Sequence, residues 1–134
     1  MKVFNNYKLA SKYTKNSILV IGNLDGVHKG HQRIIKSAKN IAKKNNTRLG
    51  ILLFNPHPKK YFESNKNGFL LTDLDSRFDI LKDQKVDYVI VLGFNKNLAN
   101  MLPNDFCNKI LFSGIKMGHI FVGTNFRFGK KRAG

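Results

Sequence analysis

The sequence predicts an α/β domain built on an open parallel sheet with helices on both sides. Its 134 residues suit a single domain with a sizeable buried core. Short apolar runs alternate with segments whose apolar residues recur at helical spacing. This alternation, without an internal repeat or a low-complexity linker, favours parallel strands joined by right-handed crossovers.

Four apolar runs are predicted to be buried strands, at residues 18–21, 49–54, 88–92 and 119–122. A first helix is predicted over residues 33–43, because its apolar residues lie on one face and its lysines largely opposite. A second is predicted over residues 74–82, with Asp73 or Asp75 as its N-cap, and a third begins at Asn104 or Asp105.

The chain is strongly basic, with 24 Lys and Arg against 8 Asp and Glu and a formal net charge of +16. Such a charge predicts attraction to nucleic acid, an anionic membrane surface or phosphorylated small molecules. The lysines are scattered, often beside asparagines, and residues 130–132 form the only dense basic cluster. A nucleic-acid-binding module is therefore kept as an alternative, disfavoured because no predicted helix has a concentrated basic face.

Cysteine content and hydropathy indicate a cytoplasmic protein. Cys107 is the only cysteine, which excludes an intrachain disulfide and favours a reducing compartment. It falls in an apolar helical pattern, so we expect a buried structural thiol. No apolar run approaches the roughly 20 residues that span a bilayer, and we expect no membrane partner. No oligomeric state is predicted.

Glycine-, proline-, histidine- and aromatic-rich segments follow all four predicted strands. Ligands of open parallel sheets bind beyond the carboxyl ends of the strands, so these segments are predicted to converge on one edge. A plainer interpretation is that the glycines only make turns and the histidines lie on the surface, and the convergence argues against it. The segments are GNLDGVHKGH, NPHP, GFNKN and GTNFRFG.

The first segment has the residue types of a phosphate site. Gly30 lets the backbone turn into the following helix, so that His28 and His31 point at one site and donate hydrogen bonds to phosphate oxygens. The start of the helix adds partial positive charge. Two alternative roles remain open for Asp25: it orients a histidine, or it assists a metal ion. Zinc is the competing interpretation, since histidine and aspartate are zinc ligands, but the glycine-rich setting favours phosphate.

These motifs resemble a known family. His28-Lys29-Gly30-His31 resembles the His-x-Gly-His signature of the nucleotidyltransferase superfamily. GNLDGVHKGH, FNPHP, LLT and VGTNFRFGKKRAG together resemble the N-terminal FMN adenylyltransferase module of bacterial bifunctional riboflavin kinase/FAD synthetases. Leu24 stands where that family usually has phenylalanine. The resemblance implies a Rossmann-like nucleotidyltransferase fold.

The resemblance also implies an activity and a set of site residues. The activity is transfer of AMP from ATP to FMN, giving FAD and pyrophosphate, with Mg²⁺ accompanying ATP. The alternative is another His-x-Gly-His nucleotidyltransferase with a different phosphorylated acceptor. Phe62 and Phe106 are equally well explained as core residues. The implied catalytic residues are His28, His31 and Asn125; the ATP-binding residues are Gly22, Asn23, Asp25, Gly26 and Gly30; the flavin-binding residues are Pro56, His57, Pro58, Phe62, Phe106 and Phe128.

The resemblance makes residues 1–134 one FMN adenylyltransferase domain. The family usually continues with an Ile-Ser-Ser-Thr-x-Val/Ile-Arg segment and then a riboflavin kinase domain. We therefore expect the chain to be incomplete at its C-terminus, with the riboflavin kinase domain absent.

Overall fold

The described residues form a five-stranded, wholly parallel sheet in the order β1-β4-β3-β2-β5. The computed structural model describes residues 1–22, 29–55, 74–93 and 95–122. The predicted fold class and all four predicted strands are confirmed. The strands are β1 (Lys2–Phe4), β2 (Ile18–Ile21), β3 (Leu49–Asn55), β4 (Tyr88–Gly93) and β5 (His119–Val122).

Helices cover both faces of the sheet. One face, here called the α2 face, packs against α2 (Lys29–Lys44) and α3 (Leu74–Asp83). The other, the π-helix face, packs against a ten-residue π-helix (Phe106–Ile115), α1 (Tyr7–Thr14) and the short α4 (Lys96–Ala99). In the described part of the chain no helix is both long and apolar enough to cross a membrane.

The side chains of β3, the central strand, alternate between the two faces. Leu49, Ile51 and Leu53 lie in the core of the α2 face, while Leu52 and Phe54 lie in the core of the π-helix face. A parallel strand with helices on both sides is apolar at every position, which explains the continuous apolar run in the sequence.

The first predicted helix corresponds to α2, which begins one turn earlier than expected, at Lys29 rather than Arg33. Its predicted apolar face is confirmed, because Ile35, Ala38 and Ala42 are buried against the sheet. The earlier start places His31 within the helix.

The third predicted helix is present, but its predicted caps are wrong. Asn104 and Asp105 belong to a single helical turn, Pro103–Asp105, that runs directly into the π-helix. Asp105 makes no side-chain capping hydrogen bond, and the turn instead starts with Pro103, whose missing N–H is not needed there. For α3, Asp73 lies outside the described residues and Asp75 falls inside the helix. Cys107, in the π-helix, is half-buried against the core rather than fully buried.

The sequence patterns missed β1, α1 and α4. β1 has three residues, lies at the edge of the sheet and is largely exposed, so it has no apolar run to reveal it. α1 is capped by Asn6, whose side-chain oxygen accepts a hydrogen bond of 3.0 Å from the Lys8 N–H.

Each main helix is followed by a residue in the left-handed conformation that returns the chain to the amino edge of the sheet. After α2, the Thr47 N–H donates to the Ala42 carbonyl at 2.9 Å; after α3, the Val86 N–H donates to the Leu81 carbonyl at 3.2 Å. These are Schellman bonds, which satisfy the last helical carbonyls. The left-handed residues are Asn16, Asn46, Lys85 and Lys116, with φ of 61°, 51°, 60° and 60°.

Buried hydroxyl groups form hydrogen bonds at the amino edge, which is the edge of the sheet where the parallel strands begin. The Ser17 hydroxyl is hydrogen-bonded to the Tyr88 hydroxyl at 2.5 Å, and Thr14 Oγ1 donates to the Ile115 carbonyl. Burial raises the pKa of Tyr88 to about 12, against the opposing effect of the Ser17 hydrogen bond. The Tyr88 ring lies directly over Gly50, its partner in β3.

Candidate functional site

The carboxyl ends of all five strands lie on one edge of the sheet, since every pairing is parallel. The four motif segments leave the sheet at this edge, which is the arrangement the sequence predicted. Most of the predicted site residues lie beyond the strand ends, outside the described residues: Asn23, Asp25, Gly26, His28, Pro56, His57, Pro58, Phe62, Asn125 and Phe128.

The amino terminus of α2 lies at this edge of the sheet. Gly30 and His31 lie in its first turn, and His28 immediately precedes the helix. The first turn carries no acidic residue, so nothing there offsets the partial positive charge of the aligned peptide dipoles. An anion is therefore favoured at this position.

Gly22 continues the ladder one residue past β2. Its N–H donates to the Leu52 carbonyl at 3.2 Å, and it is half-buried. The register of β2 and β3 therefore places Gly22 at the carboxyl edge, beside Leu53.

Phe106 is part of the core on the π-helix face. Only 1% of its surface is exposed, and its ring centroid lies 6.5 Å from that of Phe54, with the rings tilted by 39°. This packing explains a phenylalanine here, and a flavin contact at Phe106 stays a prediction.

The motif-based interpretation passed over Asn55, which the structure places at the centre of the carboxyl edge. Asn55 ends β3, is exposed, and pairs in register with Gly93 at the end of β4. The signal was available, because a polar residue directly after six buried strand residues stands where ligands bind. By contrast, Asn95 in the third segment caps α4, its side-chain oxygen accepting from the Leu98 N–H at 2.9 Å.

A polar pocket of about 370 Å³ lies at the opposite, amino edge. Three of its four lining residues use their side chains in hydrogen bonds that hold the fold together. Asp87 Oδ2 accepts from the Leu49 N–H at 2.8 Å, and Arg48 donates to the Tyr13 carbonyl at 3.1 Å while its guanidinium stacks 3.9 Å from the Tyr13 ring centroid. We therefore interpret this pocket as structural. It is lined by Asn46, Thr47, Arg48 and Asp87.

No group of three His, Cys, Asp or Glu side chains that would hold a metal ion occurs among the described residues. The residues of the competing zinc interpretation, Asp25 and His28, lie outside them, and the His31 side chain is not described. The zinc alternative thus stays untested by the geometry.

Comparison with known proteins identifies the family to which this chain belongs. Residues 10–134 match the FAD synthetase family, and the chain belongs to that family. The resemblance found in the motifs is thereby confirmed.

The relatives are bifunctional riboflavin kinase/FMN adenylyltransferases. The chain is 31% identical over its whole length to that of Buchnera aphidicola subsp. Schizaphis graminum and covers 43% of it. It is also 31% identical over its whole length to that of Haemophilus influenzae, covering 44%, and 29% identical over 92% of its length to that of Bacillus subtilis, covering 39%. The chain therefore spans about two fifths of the length of these relatives.

A solved structure shares the fold. A crystal structure described as a macrolide-efflux protein from Streptococcus pneumoniae superposes with a TM-score of 0.78, covering 97% of this chain and 43% of that one. Its sequence identity of 23% makes it a likeness of fold alone.

Proposed function

We propose that this chain is an FMN adenylyltransferase domain, which transfers AMP from ATP to FMN to give FAD and pyrophosphate. The observation that carries the proposal is the family match over residues 10–134. The parallel sheet supports it, because the four motif segments leave from one edge. The domain proposed spans residues 1–134, and no riboflavin kinase activity is proposed for it.

The reaction is a displacement at the α-phosphorus of ATP. A phosphate oxygen of FMN forms the new bond, the bond between the α-phosphorus and the bridging oxygen to the β-phosphorus breaks, and pyrophosphate leaves with that electron pair. No proton need be removed from an ionised phosphate nucleophile. The protein therefore has to align two anions and stabilise the charge that shifts onto the leaving group.

His28 and His31 are proposed to donate hydrogen bonds to the ATP phosphates. Both stand at or immediately before the start of α2, where anions are favoured. Asn125 is proposed as a further active-site residue. The remaining ATP-binding residues of the proposal are Gly22, Asn23, Asp25, Gly26 and Gly30.

The flavin ring is proposed to bind at the segments after β3 and β5, which supply proline and aromatic surfaces suited to a flat apolar ring. The residues proposed are Pro56, His57, Pro58, Phe62, Phe106 and Phe128. Mg²⁺ is proposed to enter as its ATP complex, where it neutralises phosphate charge. Asn55, exposed at this edge, has an amide oxygen, which is a type of ligand that hard cations accept.

The direct test is a fluorescence titration of the chain with FMN, with and without Mg-ATP, followed by analysis of the products for FAD. We expect FMN binding and FAD formation that requires ATP. Binding of nicotinamide mononucleotide or phosphopantetheine as tight as that of FMN would favour the alternative acceptor class. Absence of both FAD formation and FMN binding would overturn the proposal.

Histidine variants separate the phosphate site from the flavin site. His28→Ala and His31→Ala should lower the adenylylation rate by about 10²–10³, the usual cost of one preorganised charge-stabilising donor, with FMN affinity nearly intact. Pro58→Ala and Phe128→Ala should weaken FMN binding first. His119→Ala is the matched control, because His119 is exposed and begins β5 at the opposite edge of the sheet. Near-normal turnover with lost FMN affinity in the two histidine variants would reverse the assigned roles.

We propose that the protein has no specific nucleic-acid partner, despite its high positive charge. Any binding to DNA should then be weak, independent of sequence and steeply reduced by salt. A sequence-selective complex that survives physiological salt, measured by fluorescence anisotropy, would favour the nucleic-acid alternative instead.

A further inference from the structure

Exposed charges of a single sign run along the outer side of α2. Four cations of this helix are exposed, and at about 100° per residue they lie within roughly 100° of one another around its axis. The residues of α2 that pack against the sheet lie on the opposite side. This arrangement corrects the expectation that no helix has a concentrated basic face. The four cations, here called the basic stripe, are Arg33, Lys36, Lys43 and Lys44.

The basic stripe has no counter-charge within α2, whose sequence contains neither aspartate nor glutamate. Among the described residues, no carboxylate forms an ion pair with any of its cations. The neighbouring α3 differs, because its exposed charges include Asp79 and Asp83 as well as Lys82. Lys39, at the side of α2, is used in the fold, where its Nζ donates to the Gln84 carbonyl at 3.3 Å. The cations of the stripe are therefore available to attract anions from solution.

The basic stripe extends toward the edge of the sheet where the substrates are proposed to bind. α2 begins at the carboxyl edge, because it follows β2 in the chain, and it ends at the amino edge. At a rise of about 1.5 Å per residue, Arg33 and Lys36 lie roughly 6 and 10 Å along the axis from the first residue of the helix, and Lys43 lies about 21 Å from it. Two cations of the stripe are therefore close to the proposed phosphate site.

We propose that the basic stripe accelerates the association of the phosphorylated substrates with the carboxyl edge by long-range electrostatic attraction. The inference rests on the proposed function and deepens it, because FMN has to bring its phosphate next to the α-phosphorus of ATP and both substrates thus carry negative charge to the same place. A surface of one sign raises the local concentration of oppositely charged ligands and can raise their association rate by about tenfold or more. The stripe does this without contacting the bound substrate.

The test is stopped-flow measurement of FMN association with the chain, followed by flavin fluorescence at an ionic strength of about 0.01 M, where the Debye length is about 30 Å. Arg33→Glu combined with Lys36→Glu should slow association about tenfold, with the dissociation rate and the melting temperature little changed. Lys12→Glu combined with Lys15→Glu is the matched control, since it changes the net charge equally at exposed positions where α1 ends, at the amino edge. The control pair should slow association less than about twofold.

Three further measurements test whether the effect depends on the phosphate, on salt and on distance. Riboflavin, which lacks the phosphate, should associate at the same rate with every variant. At about 0.15 M salt the Debye length falls to about 8 Å, so FMN association with the wild type should slow and the difference between variants should shrink to about twofold. Lys43→Glu combined with Lys44→Glu should slow association at low salt less than the pair near the start of α2, because these charges lie farther from the site.

The outcomes distinguish this inference from the proposed function. FMN association that is unchanged in the Arg33/Lys36 variant, is slowed equally by the control pair, or is slowed equally for riboflavin overturns the electrostatic role, while FAD formation by the wild type would still support the proposed function. Unchanged association with faster dissociation also overturns it, because that result indicates a direct contact with bound FMN. FMN association that depends on the stripe, without any FAD formation, supports the inference and contradicts the proposed function. A wild-type chain that binds no FMN overturns both.

Discussion

Gly50→Ala tests how tightly the centre of the sheet is packed. A Cβ on Gly50 would stand 1.9 Å from Tyr88 Cζ and 2.1 Å and 2.5 Å from the two Cε atoms of that ring. Carbon atoms in contact prefer about 3.5 Å, so the ring would have to move by roughly 1.5 Å. Tyr88 has no exposed surface, is hydrogen-bonded to Ser17 and packs edge-on against Tyr13 at 5.8 Å between centroids.

The ring therefore has little room to yield. Overpacking a core costs about 1–3 kcal/mol and occasionally more, and we expect Gly50→Ala to lie at the upper end, near 3 kcal/mol. For a domain of this size that corresponds to a fall of roughly 10 °C in melting temperature.

The assay is denaturant unfolding followed by circular dichroism, with Gly93→Ala as the matched control. Gly93 lies in the neighbouring strand and a Cβ there meets open space among the described residues, so the same substitution should be neutral or stabilise by up to about 1 kcal/mol. A double-mutant cycle with Tyr88→Leu identifies the cause, because leucine lacks the ring atoms that clash. In that background Gly50→Ala should cost less than about 1 kcal/mol. Equal stability of Gly50→Ala and Gly93→Ala, or an undiminished penalty beside Leu, would refute this account of the packing.

Three further substitutions test single features of the fold. Thr14→Val removes the hydroxyl that donates to the buried Ile115 carbonyl and should lower the unfolding free energy by about 1–3 kcal/mol; a change below about 0.5 kcal/mol would contradict the bond. Lys85→Gly relieves a left-handed residue, φ 60°, and should stabilise by about 0.5–1 kcal/mol in the same assay; a loss of stability would be the contrary result. Tyr88 keeps its proton to about pH 12 in the folded state against 10.0 ordinarily, so its contribution to stability is complete below pH 10 and is lost as pH rises from 10 to 12. Spectrophotometric titration should show that ionisation of Tyr88 occurs near pH 12, as a signal that disappears in Tyr88→Phe.

Hydrophobic patterning was sufficient to predict four of the five described strands and the three longest described helices. β2, β3, β4 and β5 are apolar runs because helices cover the sheet, and α2 shows its apolar face plainly. β1 could not be found in this way, because an exposed edge strand of three residues has no core face to pattern. The π-helix could not be distinguished from an α-helix, since both bury residues such as Ile110 and Leu111 at similar spacing.

The position of the candidate site could be predicted, but not its detailed geometry. The rule that ligands bind at the carboxyl edge needs only that the strands are parallel, which the alternation of strands and helices predicts. The position of Asn55 beside Gly93 depends on the register between β3 and β4. Register follows from the folded packing of the whole sheet and not from the local sequence.

The two edges of the sheet differ in how their polar groups are used, and the difference separates stability from function. At the amino edge, Ser17 bonds to Tyr88, Thr14 to Ile115, and Asp87 to the Leu49 N–H, so polar groups from different layers satisfy one another. Substitutions there leave buried partners unsatisfied and should reduce the unfolding free energy. At the carboxyl edge, Asn55 is exposed at the end of β3, and Gly93, its partner in β4, contributes no side chain. Changes there remove little packing, so their effects should fall on ligand affinity, and a chain that melts normally yet binds phosphate poorly is the expected phenotype.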